Sequence, residues 1–202
     1  MGAGSASTRE KMFKAALELI ADKGVSATTV DEIVERAGVA KGTVYYHFSG
    51  GKTELIEALI ASELTPLAER LRQIAAEEAS PAKRIAELVR AELAWIRDNR
   101  DFAKMLVTEL WREERAWRDS LVLLRKSILG YFRDAIAEGV AAGAFRADLD
   151  PDFAASALFG MTVTVALDWL VFYPERPLEF VAGQIDSLAS AAVRTGEPTA
   201  GD

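Results

Sequence analysis

The stretch from residue 29 to residue 55 constrains the fold of this chain more than any other. Thr29 and Glu32 have the spacing of a capping box, in which each side chain bonds the other residue's backbone N–H, so a helix is predicted to begin there. Gly38 follows and can adopt the left-handed conformation that ends a helix. Residues 41–47 are predicted to form a second short helix with Val44 facing inward. Two short helices joined by a glycine-containing turn predict a helix-turn-helix, whose second helix reads the DNA major groove.

The second helix of this motif contains many side chains that can donate hydrogen bonds. Lysine, threonine, tyrosine and histidine side chains can reach phosphates and base edges, and a glycine lets the backbone approach DNA closely. Residues 36–53 contain two lysines, one arginine and no acid. One of the two tyrosines could instead pack against the core of the motif. The residues expected to bind DNA on this helix are Lys41, Gly42, Thr43, Tyr45, Tyr46 and His47.

The same stretch resembles a known family. Residues 27–30 (Ala-Thr-Thr-Val) and residues 37–48 (Ala-Gly-Val-Ala-Lys-Gly-Thr-Val-Tyr-Tyr-His-Phe) are similar to the DNA-binding signature of the TetR (tetracycline repressor) family. The similarity covers residues 8–59, and beyond them only the lengths and order of the helices match. It implies an all-helical homodimeric transcription regulator, usually a repressor released by a small ligand. It also adds Thr28, Thr29 and Lys52 to the DNA-binding set, with Lys52 at a backbone phosphate.

Two positions depart from the family's pattern. Ala40 stands where the family usually has serine, so the second helix lacks a side-chain N-cap, a loss of about 1 kcal/mol. Residues 49–51 (Ser-Gly-Gly) separate Phe48 from Lys52, where the family usually has two residues. The sequence leaves open how this extra residue changes the approach of Lys52 to its phosphate.

The net charge of −7 is unusual for a DNA-binding protein. Whether it is compatible with DNA binding depends on where the charges lie in the chain. Residues 1–60 carry seven basic and eight acidic residues, whereas residues 61–202 carry seventeen basic and twenty-three acidic ones. DNA affinity depends on the local basic face rather than on the total charge. Most of the excess acid lies outside the motif, so the charge is compatible with DNA binding of modest non-specific affinity.

The rarer residue types exclude several classes of protein. The chain has no cysteine and one histidine, which excludes thiolate and multi-histidine metal sites. No nucleophile–base pair is apparent, so we expect no enzyme, no metal and no cofactor. The first residues lack the apolar segment of a secretory signal peptide, so we expect a cytoplasmic protein. The rival interpretation is a helical ligand-binding or adaptor protein without DNA binding.

Helical periodicity extends through the rest of the chain, and no useful stretch alternates with period two. We therefore predict an all-α protein with a three-helix head at residues 8–55 and a larger ligand-binding and dimerisation body at residues 56–195. Ser7 and Glu10 begin the first helix. A long helix at residues 53–79 contains Pro66, which should kink it. Asp150 caps a helix that reaches residue 173, and a last helix covers residues 178–193.

The apolar run at residues 153–173 has two interpretations. It approaches membrane-spanning length, but Ser156, Thr162, Thr164 and Asp168 interrupt it. A helix that is apolar nearly all round is also what a subunit interface produces. We therefore expect no membrane span but a homodimer, with this helix and the last one forming a four-helix bundle. Its reading helices should lie about 34–36 Å apart, or a multiple of that, on a near-palindromic DNA operator.

Aromatic and soft apolar side chains are abundant in the body. For any single one, ordinary core packing is the simpler interpretation, but together they could line a cavity for a small-molecule effector. Glu109 is a carboxylate on an otherwise apolar face; it could meet a donor or cation of the ligand, or pair with Arg112 or Arg133. The predicted ligand-binding residues are Trp95, Phe102, Met105, Leu106, Glu109, Leu110, Phe132 and Phe159, with further bulk from Trp111, Trp117 and Trp169.

Overall fold

The computed structural model of the chain describes residues 7–110 and 118–193, with the side chains at 108–110, 118–121, 123 and 124 excepted. Within these ranges the regular structure is helical throughout and contains no strand, which confirms the predicted all-α class. The helices are α1 (Thr8–Lys23), α2 (Val30–Ala37), α3 (Lys41–His47), α4 (Lys52–Glu77), α5 (Pro81–Asp98), α6 (Arg100–Leu110), α7 (Arg118–Ala141), α8 (Pro151–Phe172) and α9 (Leu178–Val193).

The helix starts follow the local chemistry that the sequence predicts. The Ser7 side chain accepts a bond from the Glu10 N–H, and the Glu10 carboxylate accepts one in return from the Ser7 N–H. Asp150 accepts a bond of 2.8 Å from the N–H of Phe153 at the first turn of α8. In each case a side-chain oxygen satisfies an N–H group that has no partner within the helix.

Two compact units make up the chain, and each has its own core. Of the described residues, the first contains 7–65, 99–110 and 118–122, and in it α1 packs against α2 and α6 while α2 packs against α3. Its fully buried apolar side chains include Met12, Ile33, Val44, Leu55 and Phe102. These residues come from five different helices, so the first unit is held together by one shared core.

The second unit contains, of the described residues, 66–98 and 123–193. In it α5 packs against both α8 and α9, and these two helices pack against each other. Its core includes Leu88, Leu93, Phe132, Ala166 and Ile185. By length and hydropathy α8 could cross a membrane, but its buried side lies in this core. The helix therefore buries one face in its own unit and exposes the other.

The break between the units falls inside α4, between Thr65 and Pro66. Pro66 has no N–H to donate to the Ser62 carbonyl one turn earlier. The hydroxyl of Thr65 donates to the neighbouring Ala61 carbonyl at 2.7 Å. The helix nevertheless continues from Lys52 to Glu77. The predicted domain boundary after residue 55 separates the DNA-binding part from the ligand-binding part. It lies earlier on α4 than the break between the two compact units.

Candidate nucleic-acid interface and ligand site

The start of α2 is fixed by a reciprocal cap. The Thr29 hydroxyl accepts a bond of 3.3 Å from the Glu32 N–H, and the Glu32 carboxylate accepts one of 2.9 Å from the Thr29 N–H. Lys23 at the end of α1 also bonds Glu32. The bonds from Lys23 and Thr29 lower the pKa of Glu32 to about 2. Thr29, predicted to bind DNA, therefore already serves as the N-cap of α2, although it is exposed.

The turn and the second helix follow the predicted pattern. Gly38 has φ +65°, the left-handed conformation that ends α2. Ala40 precedes α3 and provides no side-chain cap. Two side chains hold α3 to the head, since Val44 and Phe48 are 0% and 1% exposed. A seven-residue helix without a cap is marginal alone, so this packing positions α3.

The remaining side chains of α3 lie at the surface. Lys41, Tyr45, Tyr46 and His47 are exposed, as is the backbone at Gly42, and Thr43 is half-buried. Tyr46 is 85% and Tyr45 48% exposed, so neither tyrosine packs into the core of the head. The structure thus brings the predicted donors of α3 together on one exposed helix surface.

Lys41 has an acidic partner in this DNA-free structure. Its Nζ lies 2.7 Å from the Oδ1 of Asp31, in the first turn of α2. The bond with Asp31 raises the pKa of Lys41 above its ordinary value. Both side chains are mostly exposed, with 60% and 67% of their surface accessible, so the ion pair is weak and a phosphate or base can displace it.

The extra residue after α3 is absorbed in a tight turn. The Gly51 N–H donates to the Phe48 carbonyl at 2.9 Å, and Gly51 has φ +65°, a conformation that favours glycine. The Glu54 carboxylate accepts a bond of 2.7 Å from the Gly50 N–H. The additional residue therefore alters the turn and not the packing of Phe48, which stays buried.

Lys52 and Thr28 are engaged within the head. The Lys52 Nζ donates to the carbonyls of Val25 and Thr28, at 3.2 and 3.0 Å. Thr28 is fully buried, and its hydroxyl donates to the Gly24 carbonyl at 2.9 Å. The Thr28 side chain therefore cannot reach DNA in this conformation. Two of the three N–H groups of the Lys52 ammonium are thus engaged on the connection between α1 and α2, which leaves one for a phosphate.

The predicted ligand-binding residues are divided between the two units. In the first unit, Phe102 and Met105 are buried and Leu106 is half-buried, whereas the side chains of Glu109 and Leu110 lie outside the described residues. In the second unit, Phe132 is fully buried, and Trp95 and Phe159 are half-buried. The guanidinium of Arg125 lies 5.8 Å from the ring centre of Phe159. Arg112, Trp111 and Trp117 also lie outside the described residues.

Sequence reasoning missed a different carboxylate, Glu92 on α5. Its side chain is 2% exposed, and its Oε2 has no hydrogen-bond partner in the described structure. Burial raises the pKa of the Glu92 carboxyl to about 8. Glu92 follows Leu88 by four residues and Val89 by three, so the helical spacing alone places it on the buried face of α5.

Comparison with known proteins identifies the family. The model described as "Bacterial regulatory proteins, tetR family" matches residues 13–59, and the model described as "Tetracyclin repressor-like, C-terminal domain" matches residues 78–169. The HTH-type transcriptional repressor KstR2 of Mycolicibacterium smegmatis is 31% identical over 148 residues, which cover 73% of this chain and 72% of that protein. The chain belongs to the TetR family. It is accordingly a DNA-binding transcriptional regulator and not an enzyme.

Solved structures of TetR-family regulators share the complete fold. A putative fatty acid metabolism regulator of Clostridium perfringens has a TM-score of 0.82 and 28% identity, covering 92% of this chain and 99% of that one. KstR2 of Mycobacterium tuberculosis, a ketosteroid transcriptional regulator, has a TM-score of 0.75 and 25% identity, covering 96% and 98%. FadR of Bacillus subtilis, solved with stearoyl-CoA, has a TM-score of 0.79 at 22% identity, covering 91% and 98%.

Proposed function

We propose that this protein is a cytoplasmic repressor that binds a near-palindromic operator as a homodimer and is released by a small, mainly apolar ligand. The observation that carries the DNA-binding part is α3, whose donors are exposed while Val44 and Phe48 anchor it in the head. A rival protein without DNA binding would have no need of this polar surface. Lys41 and Thr43, at the start of α3, are where recognition helices of this motif contact base edges.

The Lys41–Asp31 ion pair supports a specific role for Lys41 in this proposal. In the free protein the pair holds the lysine at the surface with its charge formed. On DNA, Lys41 exchanges the Asp31 carboxylate for a base edge or a phosphate. Because the pair is exposed, this exchange costs little, and a well-placed contact to a base contributes about 1–3 kcal/mol of discrimination.

The dimer part of the proposal depends on α8 and α9. Phe153, Gly160 and Val171 are among the exposed residues of α8, at the spacing of one helix face, and Leu188 is exposed on α9. A groove of about 400 Å³ lies between the amino-terminal half of α8 and the carboxy-terminal half of α9. Exposed apolar surface of this kind is typical of an interface. We assign it to the same face of a second subunit, related by a two-fold axis.

The ligand part of the proposal takes its chemistry from the relatives. The Clostridium protein is named a fatty acid metabolism regulator, KstR2 a ketosteroid regulator, and the Bacillus FadR was solved with stearoyl-CoA. An acyl chain and a steroid skeleton are both large and apolar, as is the side-chain bulk of this body. Since α4 continues from the first unit into the second, we place the coupling between ligand and DNA in this helix.

An operator-binding assay tests the function directly. Wild-type protein is titrated with the intergenic DNA beside its own gene and with scrambled DNA, at several salt concentrations. The Lys41→Ala, Thr43→Ala double variant should lose about 1–3 kcal/mol of specific binding for each base contact removed. Lys14→Ala, at an exposed position of α1, is the matched control. No preference for any tested DNA in the wild type would favour the rival, and unchanged affinity in the double variant would reject α3 as the reader.

Release by ligand requires a second titration. Stearoyl-CoA and a ketosteroid are each titrated into the protein with and without operator. A coupling of about 1–3 kcal/mol should weaken operator binding some 5- to 150-fold, and operator should weaken ligand binding by the same factor. If a bound ligand has identical affinity with and without operator, its binding is not coupled to DNA and this mechanism is wrong for that ligand.

A further inference from the structure

Glu92 differs from the other buried charged residue that the structure describes. Arg84 lies two helical turns earlier on α5, where it bonds the Glu78 carbonyl at 2.8 Å and the Glu138 carboxylate at 2.7 Å. Among the described residues, no hydrogen bond or ion pair is found for Glu92, and its Oε2 has no hydrogen-bond partner. Within the second unit, the Arg84 side chain thus has hydrogen-bond partners, and the Oε2 of Glu92 has none among the described residues.

The surroundings of Glu92 show that the fold does not need a carboxyl there. Leu88, Val89, Leu93 and Ile96 lie within one turn of it on α5, and all are buried. An aliphatic side chain at position 92 would continue this face without desolvating a polar group. An unsatisfied polar group in such a place is costly, and its presence in a native core calls for an explanation.

The missing partner can be supplied by a bound molecule. We propose that Glu92 is the polar anchor of the effector site, donating a hydrogen bond to an uncharged oxygen, such as a ketone or thioester carbonyl, on an otherwise apolar ligand. This inference rests on the proposed function and adds to it the residue and the ligand group. It also replaces Glu109, the carboxylate that the sequence favoured, with one whose burial is observed.

The chemistry of the carboxyl favours an uncharged partner. Burial keeps Glu92 protonated near neutral pH, and no charged group among the described residues contributes to that shift. A protonated carboxyl has one O–H to donate. A carbonyl oxygen accepts this bond without bringing a second charge into the core, whereas an ammonium group would have to be desolvated there.

Matched ligand pairs test the anchor. In the first pair, stearoyl-CoA is compared with its thioether analogue, in which a methylene group replaces the carbonyl. In the second, the steroid ketone androstanone is compared with androstane. Octadecylamine serves as the cationic probe. Affinities are measured calorimetrically on the full-length protein near neutral pH, and operator release is measured in parallel.

Two variants of Glu92 separate its chemistry from its shape. Glu92→Met has a similar length and no donor, and Glu92→Gln retains an N–H donor. Glu87→Met removes an acid from the outer side of the same helix, where Glu87 pairs with Arg90, and is the matched control. The melting temperature of each variant shows whether it has folded, and Glu92→Met should melt above the wild type because it removes a buried unsatisfied group.

The anchor predicts one pattern. In at least one pair, the carbonyl compound should bind the wild type about 10- to 100-fold more tightly than its partner. This preference should disappear in Glu92→Met and persist in Glu92→Gln and Glu87→Met. The inference would be overturned by equal binding within both pairs, or by a carbonyl preference that survives in Glu92→Met. It would also be overturned if octadecylamine bound more tightly than the carbonyl compounds, or if no probe bound.

The parallel release measurement keeps the two proposals apart. If the carbonyl preference depends on Glu92 but no probe releases the operator, the anchor holds and the proposed control of DNA binding fails. If probes release the operator with no dependence on Glu92, the control holds and the anchor fails.

Discussion

At the scale of single residues, Lys52 links the start of α4 to the connection between α1 and α2. Its place after the second helix resembles a phosphate-binding lysine, but a long, flexible side chain has several acceptors within reach. In the structure, its ammonium group bonds the Val25 and Thr28 carbonyls.

Lys52→Met should therefore destabilise the head by about 1–3 kcal/mol, because two carbonyls lose a charged donor. Urea unfolding measures this, with Lys14→Met at an exposed position as the control. The salt dependence of operator binding decides the second role. A phosphate contact would lower the slope of log affinity against log salt by about one. An unchanged slope identifies Lys52 as a structural residue, whereas unchanged stability would contradict the capping role.

The raised pKa of Glu92 makes stability depend on pH. From the ordinary value of 4.5 up to about 8, the folded protein keeps a proton that the unfolded chain has released. The folded state binds more protons in this window, so stability should fall as pH rises through it, in total by an amount on the order of a few kcal/mol. Glu92→Gln should remove this slope. Urea unfolding of both proteins at both ends of the window measures it, and parallel slopes would show that Glu92 ionises normally.

At the scale of helices, prediction succeeded where the determinants are local. Ser7 and Asp150 cap the helices that they were expected to begin, and Gly38 ends α2 in the left-handed conformation. Each of these residues acts on a backbone group at most a few positions away. The predicted ends of α4, α8 and α9 accordingly lie within a few residues of the observed ones.

The uncapped start of α3 offers a stabilising substitution. Ala40 has the extended backbone of an N-cap and makes no side-chain bond. The Thr43 N–H already donates to the Ala40 carbonyl at 2.9 Å. Ala40→Ser should accept a further hydrogen bond, from the Gly42 N–H, and add about 1 kcal/mol of stability. Urea unfolding checks the gain, and Ala40→Val, which cannot cap, is the control. A serine variant no more stable than the wild type would mean that the serine hydroxyl gains no hydrogen bond from the first turn of α3.

At the scale of the whole molecule, the effector site was the least predictable part. Aromatic bulk and one carboxylate suggested a cavity, but a cavity is formed by tertiary packing, which helical spacing does not specify. The described members of that set fall in both compact units. Among the described residues, the buried carboxyl is Glu92 on α5, and the side chain of Glu109 lies outside them. Helical spacing could have placed Glu92 on the inner face, but only the structure shows that its Oε2 has no hydrogen-bond partner among the described residues.

The dimer is tested at Gly160. This residue is exposed on α8, and nothing lies within 4 Å of the position that a Cβ would occupy, so a side chain fits in the single subunit. Gly160→Glu should split the proposed dimer, because it buries an unpaired charge in the interface. Sedimentation at micromolar concentration measures this, with Gly160→Ala and the exposed Ala82→Glu as controls. A wild-type monomer that still binds operator would refute the interface.

The break at Pro66 has a consequence for amide hydrogen exchange. The amides of α4 before Pro66 are protected by the core of the first unit, and those after it by the core of the second. Exchange from such amides reports the free energy with which each cooperative unit opens. The amides of α4 on the two sides of Pro66 should therefore show two different levels of protection. The change should fall at Pro66, which has no amide proton. Equal protection along α4 would mean that both units open together, and α4 would then transmit the stability of one unit to the other.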